Sequence, residues 1–508
     1  MFNVEIGAPS IKKRAIVSIL ANFLYMIINF ITGIIVARKL GPSNYGNFTF
    51  LIGVFIGFRE LLELGTSKAF YTFISQKKQT IYFYIVYFLW QILQFIGVII
   101  LIAIILPQKW VNIIWQNHDK SLIILAFIAT FSKNQGWQTI IYIGESLRKT
   151  IVVQLMNVSV GFLHFLFILI LISINKITIS NLFIIIIVEY VTISLISLKV
   201  LEINNDCFYK GKEPLVEIVK KYYAYCSPLV LLYIMSFLNI FFDKWLLQHF
   251  GGSIQQGFFS VSQKLGMISL LVTSSIIKIF WKEISEANKN NDKKKLFNLY
   301  RKTSRLIYFV GAVITCFLLM WTKYIVLIVL GPDYKDAYIP LGIMLFYPIH
   351  QSLGQINSAM FLATEKTKKY MSVVTFFLLL GIPVSYIFIA SSSSPIPGLE
   401  LGSIGLTIKM VLLQFIAINA QIILISKMFK WKIDVIYQLN VILLIIFAYS
   451  SKKIVEFGFS IFGFRVNIIF VVLIAGVIYL VFIYLLLYFF PNTIQMERNE
   501  FRKYLKII

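Results

Sequence analysis

The sequence contains few charged residues and has no long polar segment. Charged residues occupy 14% of the 508 positions, whereas soluble domains carry about 25%. No stretch between apolar runs exceeds about 25 residues, and a soluble domain needs at least about 50. We therefore expect no soluble catalytic domain in this chain.

The residue patterns of common enzyme and metal sites are also missing. Cys207, Cys226 and Cys316 lack the spacing of a disulfide framework or of a metal site. The sequence contains no phosphate-binding loop, no cluster of metal ligands and no nucleophile with a nearby base. We expect a protein that is not an enzyme and that needs no cofactor or metal.

Apolar residues dominate the chain instead, at 59% of the sequence with a mean hydropathy of +0.83. Runs of about 20 apolar residues recur, and each can cross a bilayer as a helix, whereas barrel strands would give alternating segments of about ten. The first run is too long for a signal peptide, so we expect it to be retained. The sequence predicts an all-α polytopic membrane protein with about 14 transmembrane helices. Their predicted positions are 15–37, 45–65, 81–106, 121–143, 151–173, 179–199, 222–248, 257–280, 304–329, 338–363, 370–390, 402–426, 433–450 and 466–489.

Basic residues outnumber acidic residues by 47 to 22, which gives a formal charge of +25. One set of alternate loops carries about 32 Lys and Arg residues, and the other set carries about 10. Cytoplasmic loops of membrane proteins have this excess. We therefore expect both termini in the cytoplasm of a bacterial cell, a location in the cytoplasmic (inner) membrane, and no nucleic-acid partner.

A glycine-rich turn occurs twice on the predicted outer side. LGPSNYGNF joins spans 1 and 2, and FGGSIQQGFF joins spans 7 and 8. We align Gly41-Pro42 with Gly251-Gly252, and Gly46 with Gly257, so that the glycine spacing is five in the first turn and six in the second. These six residues are the expected hinge turns.

A second similarity links span 4 with span 10 at a constant offset of 220. The aligned pairs are Ser132 and Ser352, Gln135 and Gln355, Glu145 and Glu365, Arg148 and Lys368, and Lys149 and Lys369. Spans 1–6 and 7–12 therefore form two parallel six-helix repeats, an architecture typical of transporters with a substrate site between the halves. The predicted domains are an N-lobe at 1–201, a cytoplasmic linker at 202–221, a C-lobe at 222–427, spans 13 and 14 within 428–490, and a cytoplasmic tail at 491–508.

Three segments carry a family resemblance: LGPSNYGNF, FFDKWLLQHFGGSIQQGFFSVSQKLG and LGPDYKDA. They resemble polysaccharide flippases of the Wzx type, in the polysaccharide-transporter branch of the MOP (MATE-like) exporter superfamily. The resemblance implies two six-helix lobes that alternately open a central cavity to each side of the membrane. It also implies a cargo of oligosaccharide on undecaprenyl pyrophosphate for O-antigen, lipopolysaccharide or capsule synthesis, with a polysaccharide polymerase and a chain-length regulator as partners.

Several polar side chains lie within the predicted spans, where a charge costs at least about 2.5–3.5 kcal/mol and normally faces a wet cavity or the bundle interior. A pyrophosphate carrier needs cationic partners in the membrane, and sugars need amides and hydroxyls. The substrate-cavity candidates are Lys133, Gln135, Lys264, Lys409, His350, Gln355 and Asn357.

Glu189 is the coupling candidate, because a carboxylate near the midplane can carry a proton or bind sodium. It lies 220 positions before Lys409, and a structural pair between these two residues is the alternative. Arg59, Asp243 and Lys244 lie near span ends and are gate or anchor candidates. His164 is isolated in span 5, and we expect a structural hydrogen bond there.

Two other transporter functions stay open. A MATE-like cation-coupled drug exporter would favour buried carboxylates, whereas most of the intramembrane charges here are lysines. A peptidoglycan lipid-precursor flippase would share the whole architecture. A membrane enzyme, such as a polysaccharide polymerase, would need a large loop rich in acids or arginines, which this sequence does not contain.

Overall fold

The protein is described here from a computed structural model. The structure describes residues 11–202, 208–209, 211, 213–270, 280, 283–462 and 467–495. The predicted linker 202–221 is therefore described only in part, and the predicted tail only as far as residue 495. Every regular element in the described residues is helical, as expected for an all-α membrane protein.

Nineteen helices carry the argument and are numbered here in chain order. In the first half these are α1 Ile11–Glu63, α2 Thr66–Gln76, α3 Ile81–Ile100, α4 Gln108–Ile114, α5 Lys120–Phe131, α6 Gln138–Ser146, α7 Thr150–Ser173, α8 Ile179–Val200, α9 Leu215–Cys226, α10 Val230–Leu246 and α11 Gly252–Gly266. In the second half these are α12 Lys293–Leu319, α13 Thr322–Val329, α14 Tyr338–Met344, α15 Tyr347–Ala363, α16 Thr367–Ile389, α17 Gly402–Phe429, α18 Asn440–Phe462 and α19 Ile468–Phe489.

Nine helical stretches among the described residues are long and apolar enough to cross a membrane. Two of them, Val17–Glu63 and Leu215–Gly266, have 47 and 52 residues, about twice the 20 that one crossing needs. The first therefore covers predicted spans 1 and 2 almost completely, and the second covers predicted span 7 and the first ten residues of predicted span 8. Predicted span 10 is divided between α14 and α15. The helix at predicted span 13, α18, continues past residue 450 and includes Lys452, Lys453 and Glu456. The predicted number of fourteen spans stays a prediction.

The chain divides into two compact units. Unit 1 comprises residues 1–257 and 382–402, and unit 2 comprises residues 258–381 and 403–508. Each unit has its own apolar core. Phe50, Phe127 and Phe183 lie in the core of unit 1, and Ile307, Met360 and Ile425 lie in the core of unit 2. The predicted lobe boundaries at residues 201 and 222 stay a prediction.

The two glycine turns have the same backbone conformation. Gly41 has φ 71° and ψ 169°, and Gly252 has φ 74° and ψ 179°. Only glycine adopts this region without strain. The first turn has fewer residues than expected, because only one non-helical residue, Gly41, separates the two helical halves of α1.

This shared conformation corrects the alignment of the second turn. Gly252, rather than Gly251, corresponds to Gly41, and the spacing to Gly46 and to Gly257 is then five residues in both turns. Gly251 is instead the last residue of a π-helical turn, Leu247–Gly251, that follows α10. Pro42 follows Gly41, and Ser253 follows Gly252.

The two turns contact each other reciprocally within unit 1. A Cβ atom on Gly46 would lie 1.8 Å from the carbonyl oxygen of Ser253, and one on Gly257 would lie 2.1 Å from the carbonyl oxygen of Pro42. The hydroxyl oxygens of Ser43 and Ser253 are 2.7 Å apart. In each turn, a glycine leaves space for a backbone carbonyl group of the other turn. The contact is therefore reciprocal, as in an interface with two-fold symmetry.

We expect Gly46→Ala to destabilise the protein, because the added methyl group has no space beside the Ser253 carbonyl. Overpacking of this kind costs about 1–3 kcal/mol. Gly97→Ala is the matched control, since no atom lies within 4 Å of the position that its Cβ would take. Thermal unfolding of the purified protein in detergent measures both variants. Equal stability of the two variants would show that the turns are not held in close contact.

The turns that follow predicted spans 4 and 10 share a backbone conformation. Arg148 and Glu365 both have φ 60°. Each lies two residues after the end of a helix, α6 or α15, and two residues before the start of the next, α7 or α16. Asn175 and Lys430, which follow other helices, have similar φ angles of 52° and 57°, so this conformation does not decide the register. The repeat at an offset of 220 stays a prediction.

Candidate functional site

The polar cluster of predicted span 4 lies on a π-helical turn. Helix α5 continues into Ser132–Trp137, which is π-helical, and then into α6. A π-helical turn widens the helix by one residue and occurs often at functional sites. It contains two of the substrate-cavity candidates, Lys133 and Gln135.

Lys133 contacts an aromatic side chain of α8. Its Nζ atom lies 5.5 Å from the centre of the Tyr190 ring, a distance at which a cation is attracted to the ring face. The Tyr190 hydroxyl lies 3.4 Å from the hydroxyl of Tyr25 on α1. Tyr190 is buried, whereas Lys133 is half-buried. The aromatic contact therefore holds the Lys133 ammonium group against Tyr190 of α8. Part of the Lys133 residue stays accessible.

Glu189, the neighbour of Tyr190 in α8, is hydrogen-bonded to His164 of α7. The distance from Glu189 Oε2 to His164 Nδ1 is 2.8 Å. The Glu189 side chain is buried, and its Oε1 atom has no hydrogen-bond partner among the described residues. The sequence suggested that His164 is isolated. In the structure its ring is hydrogen-bonded to Glu189, the coupling candidate.

Gln135 lies in a buried chain of amides rather than beside the accessible part of Lys133. It donates to Gln94 on α3 at 3.0 Å, and Gln94 donates to the carbonyl oxygen of Leu62 at 2.9 Å. Gln91 extends this polar core, because it donates to Tyr87 and to Thr139. The sequence interpretation missed Gln91 and Gln94. Their signal is a spacing of three residues, which places two amides on one face of an otherwise apolar helix.

In unit 2, Asn357 and His350 on α15 are buried in the helix core. Asn357 accepts a hydrogen bond from Tyr300 at 2.8 Å and donates to Gln421 at 3.3 Å. The His350 ring lies between Tyr308 and Phe415, with ring centres 5.8 and 5.0 Å away. These contacts are those of packed core residues.

The other cavity candidates of unit 2 lie on three helices. Lys409 is buried on α17, Lys264 is half-buried on α11, and Gln355 is half-buried on α15. Glu189 lies ten residues after the start of α8, whereas Lys409 lies seven after the start of α17. The equivalence of these two positions stays a prediction.

The gate or anchor candidates have partners inside unit 1. Arg59 Nε lies 2.8 Å from Glu63 Oε1, one helical turn further along α1. Asp243 on α10 accepts a hydrogen bond from the Ser385 hydroxyl. The side chain of Lys244 runs past Gly53, where an added Cβ would lie 3.0 Å from its Cε atom. The described part of the chain contains no group of three His, Cys, Asp or Glu residues that is arranged to hold a metal ion.

The sequence matches one family, described as polysaccharide biosynthesis protein, over residues 11–280. This match covers more than half of the chain. The chain belongs to this family. The resemblance to the polysaccharide-transporter branch of the MOP superfamily is thereby confirmed. A comparison with curated proteins gave no significant match.

Solved structures share the fold of this family member. "Lipid II flippase MurJ, inward closed conformation" has a TM-score of 0.63 at 16% identity and covers 94% of this chain and 100% of its own. An inward-facing "multidrug resistance MATE family transporter of the MOP superfamily" has a TM-score of 0.60 at 18% identity, with 82% of this chain and 99% of its own covered. A MOP superfamily transporter from Pyrococcus furiosus has a TM-score of 0.54 at 17% identity, with 82% and 96% covered. The protein therefore has the multi-pass, MATE-like fold that the sequence predicted, and its structural neighbours are transporters and a flippase.

Proposed function

We propose that this protein is a flippase that moves undecaprenyl-pyrophosphate-linked oligosaccharide repeat units from the inner to the outer leaflet of the bacterial cytoplasmic membrane. The cargo serves O-antigen, capsule or exopolysaccharide synthesis, and movement occurs by alternating access. The half-buried cation Lys133, held over Tyr190 in predicted span 4, is the observation that carries the proposal. Membership of a polysaccharide biosynthesis family and a fold shared with a lipid II flippase support it.

The charge of the cargo explains why a lysine belongs there. A pyrophosphate carries at least two negative charges, and moving them into a medium of low dielectric constant is very costly unless a cation accompanies them. Lys133 offers a point charge with three donors, and its contact with Tyr190 fixes where that charge lies. Lys264 and Lys409 in unit 2 are the other cationic candidates. Both termini are cytoplasmic in this proposal, and a polymerase and a chain-length regulator act on the product.

The Glu189–His164 pair is the proposed coupling site for H⁺ or Na⁺. Glu189 Oε1 is a buried carboxylate oxygen with no hydrogen-bond partner in the part of the chain that the structure describes, and such an oxygen is costly unless it binds a proton or a cation. Binding and release of that ion in different conformations would couple transport to an ion gradient.

We expect Glu189→Gln to remove the dependence of transport on the ion gradient, because the amide cannot exchange a proton or bind sodium as a carboxylate does. The matched control is Glu365→Gln, which makes the same change on an exposed turn. Transport is measured with and without an imposed H⁺ or Na⁺ gradient. Full gradient dependence in the Glu189 variant would eliminate this residue as the coupling site.

The similarity to a multidrug MATE transporter favours a second candidate, a cation-coupled drug exporter, and the similarity to MurJ leaves a peptidoglycan precursor as a possible cargo. A gene deletion separates the three functions. We expect undecaprenyl-linked repeat units to accumulate and surface glycan to disappear, with rescue by the wild-type gene. Unchanged glycan with increased drug sensitivity would favour the exporter, and accumulation of peptidoglycan precursor would favour the third function.

A further inference from the structure

Unit 2 contains a basic pocket that the proposed transport path does not use. Its volume is about 1290 Å³. The start of α12, the connection between α17 and α18, and the end of α19 line it. These segments lie on the side of unit 2 that the lysine and arginine bias places in the cytoplasm.

Positive charge dominates the lining of this pocket. Its five basic residues and one acidic residue are Lys293, Lys294, Arg301, Arg305, Lys432 and Asp434. The three lysines are exposed, and none forms an ion pair with a carboxylate of the described residues. Their charges are therefore available to an anion in the pocket.

The two arginines are held in place by protein contacts. Arg301 Nε lies 2.8 Å from Asp434 Oδ2. Arg305 donates to both carboxylate oxygens, at 2.9 and 3.0 Å, and to the carbonyl oxygen of Asn492 at 3.0 Å. The Asp434 carboxylate thus positions two guanidinium groups, and this side of the pocket keeps a net positive charge.

Exposed apolar side chains border the same pocket. Ile436 is 75% exposed and Phe490 is 65% exposed, and Ile433 and Phe489 are exposed beside them. Trp431, another lining residue, belongs to a type that concentrates at membrane interfaces. A free phosphate or an acidic peptide would use only the basic part of such a surface, whereas a lipid would use both parts.

We propose that this pocket binds the phosphate headgroup of an anionic membrane phospholipid, with the first part of the acyl chains against Ile436, Phe489 and Phe490. Basic pockets between helices on the cytoplasmic side suit anionic headgroups. The lysines supply charge, the arginines supply fixed donors, and the apolar border distinguishes the lipid from a soluble anion. This binding is separate from the transported cargo and does not depend on the proposed function.

The test measures binding of phosphatidylglycerol and of phosphatidylcholine to the purified full-length protein by native mass spectrometry. The pocket variant is Lys293→Gln/Lys294→Gln/Lys432→Gln. The matched control is Lys366→Gln/Lys368→Gln/Lys369→Gln, which removes three exposed lysines from another turn of unit 2. We expect the pocket variant to bind phosphatidylglycerol at least about tenfold more weakly, since it loses three cationic partners of the headgroup, and the control to change by less than about twofold.

Two further arms identify the ligand. Ile436→Ser is expected to weaken phosphatidylglycerol binding, whereas Ile461→Ser, at a position that is 63% exposed on α18, is expected to leave it unchanged. Inorganic phosphate is expected not to displace the lipid. The lipid assignment is overturned if phosphatidylcholine binds equally well, if the two lysine variants behave alike, or if inorganic phosphate or an acidic peptide displaces the lipid completely.

Discussion

Oxidation of a Ser43→Cys/Ser253→Cys double variant is expected to stop transport, and reduction is expected to restore it. The two hydroxyl oxygens are 2.7 Å apart, so the sulfur atoms of cysteines at these positions are within reach of each other for a disulfide bond. Gly46 and Gly257 pack the two turns against each other at the same place. A covalent link would hold this contact closed, whereas the proposed alternating access would open it at the outer side.

The cross-linking experiment has a control of the same chemistry. Ser391 and Ser393 have hydroxyl oxygens 3.0 Å apart within one exposed loop, so Ser391→Cys/Ser393→Cys forms a bridge that crosses no helix contact. Both pairs are made in a background in which the three native cysteines are replaced by serine. Full transport by the oxidised Ser43→Cys/Ser253→Cys variant, with the disulfide verified by mass spectrometry, would show that the two turns do not separate during transport.

Lys133→Met is expected to reduce transport by at least about tenfold at equal expression. A charge-assisted hydrogen bond contributes about 1.5–3 kcal/mol, and each 1.4 kcal/mol is a factor of ten. Methionine keeps most of the length of the side chain and removes the charge. Lys133→Arg keeps the charge and is expected to retain more transport than Lys133→Met.

A purely structural role for Lys133 predicts a different result. In that case the cation–π contact with Tyr190 would stabilise the helix packing, and Lys133→Met would lower the unfolding temperature without changing the activity of the folded protein. Lys176→Met is a control for loss of a lysine charge, since Lys176 lies in the turn after α7. If Lys133→Met and Lys176→Met transport equally well, Lys133 does not contact the cargo.

The sequence predicts the helices and the glycine turns well because each depends on local features. Apolar runs of the length of a bilayer leave the helix as the only option, and Gly41 and Gly252 occupy a region that other residues avoid. The register of the repeats is harder to predict from the sequence. Side-chain matches at offset 220 predict one alignment. The φ angle of 60° that Arg148 and Glu365 share does not test it, because Asn175 and Lys430 adopt the same region after other helices.

The side-chain contacts of the candidate site could be predicted from the sequence only in part. The polarity around Lys133 identified the π-helical turn, but nothing in the sequence indicated that Tyr190 lies under the lysine or that His164 bonds Glu189. These contacts join helices that are distant in sequence. The sequence also treated Gln135 and Asn357 as cavity residues, and the structure places both in buried hydrogen-bond networks. An amide within a span looks the same in sequence whether it binds a sugar or a neighbouring helix.

Transport by the purified protein in liposomes tests the flippase proposal most directly. A fluorescent oligosaccharide linked to undecaprenyl pyrophosphate is placed in one leaflet, and its arrival in the other leaflet is followed with a membrane-impermeant quencher. The proposal predicts that the wild-type protein accelerates this movement and that Lys133→Met does so at least about tenfold less. Absence of acceleration, together with transport of a cationic dye by the same liposomes, would contradict the flippase proposal.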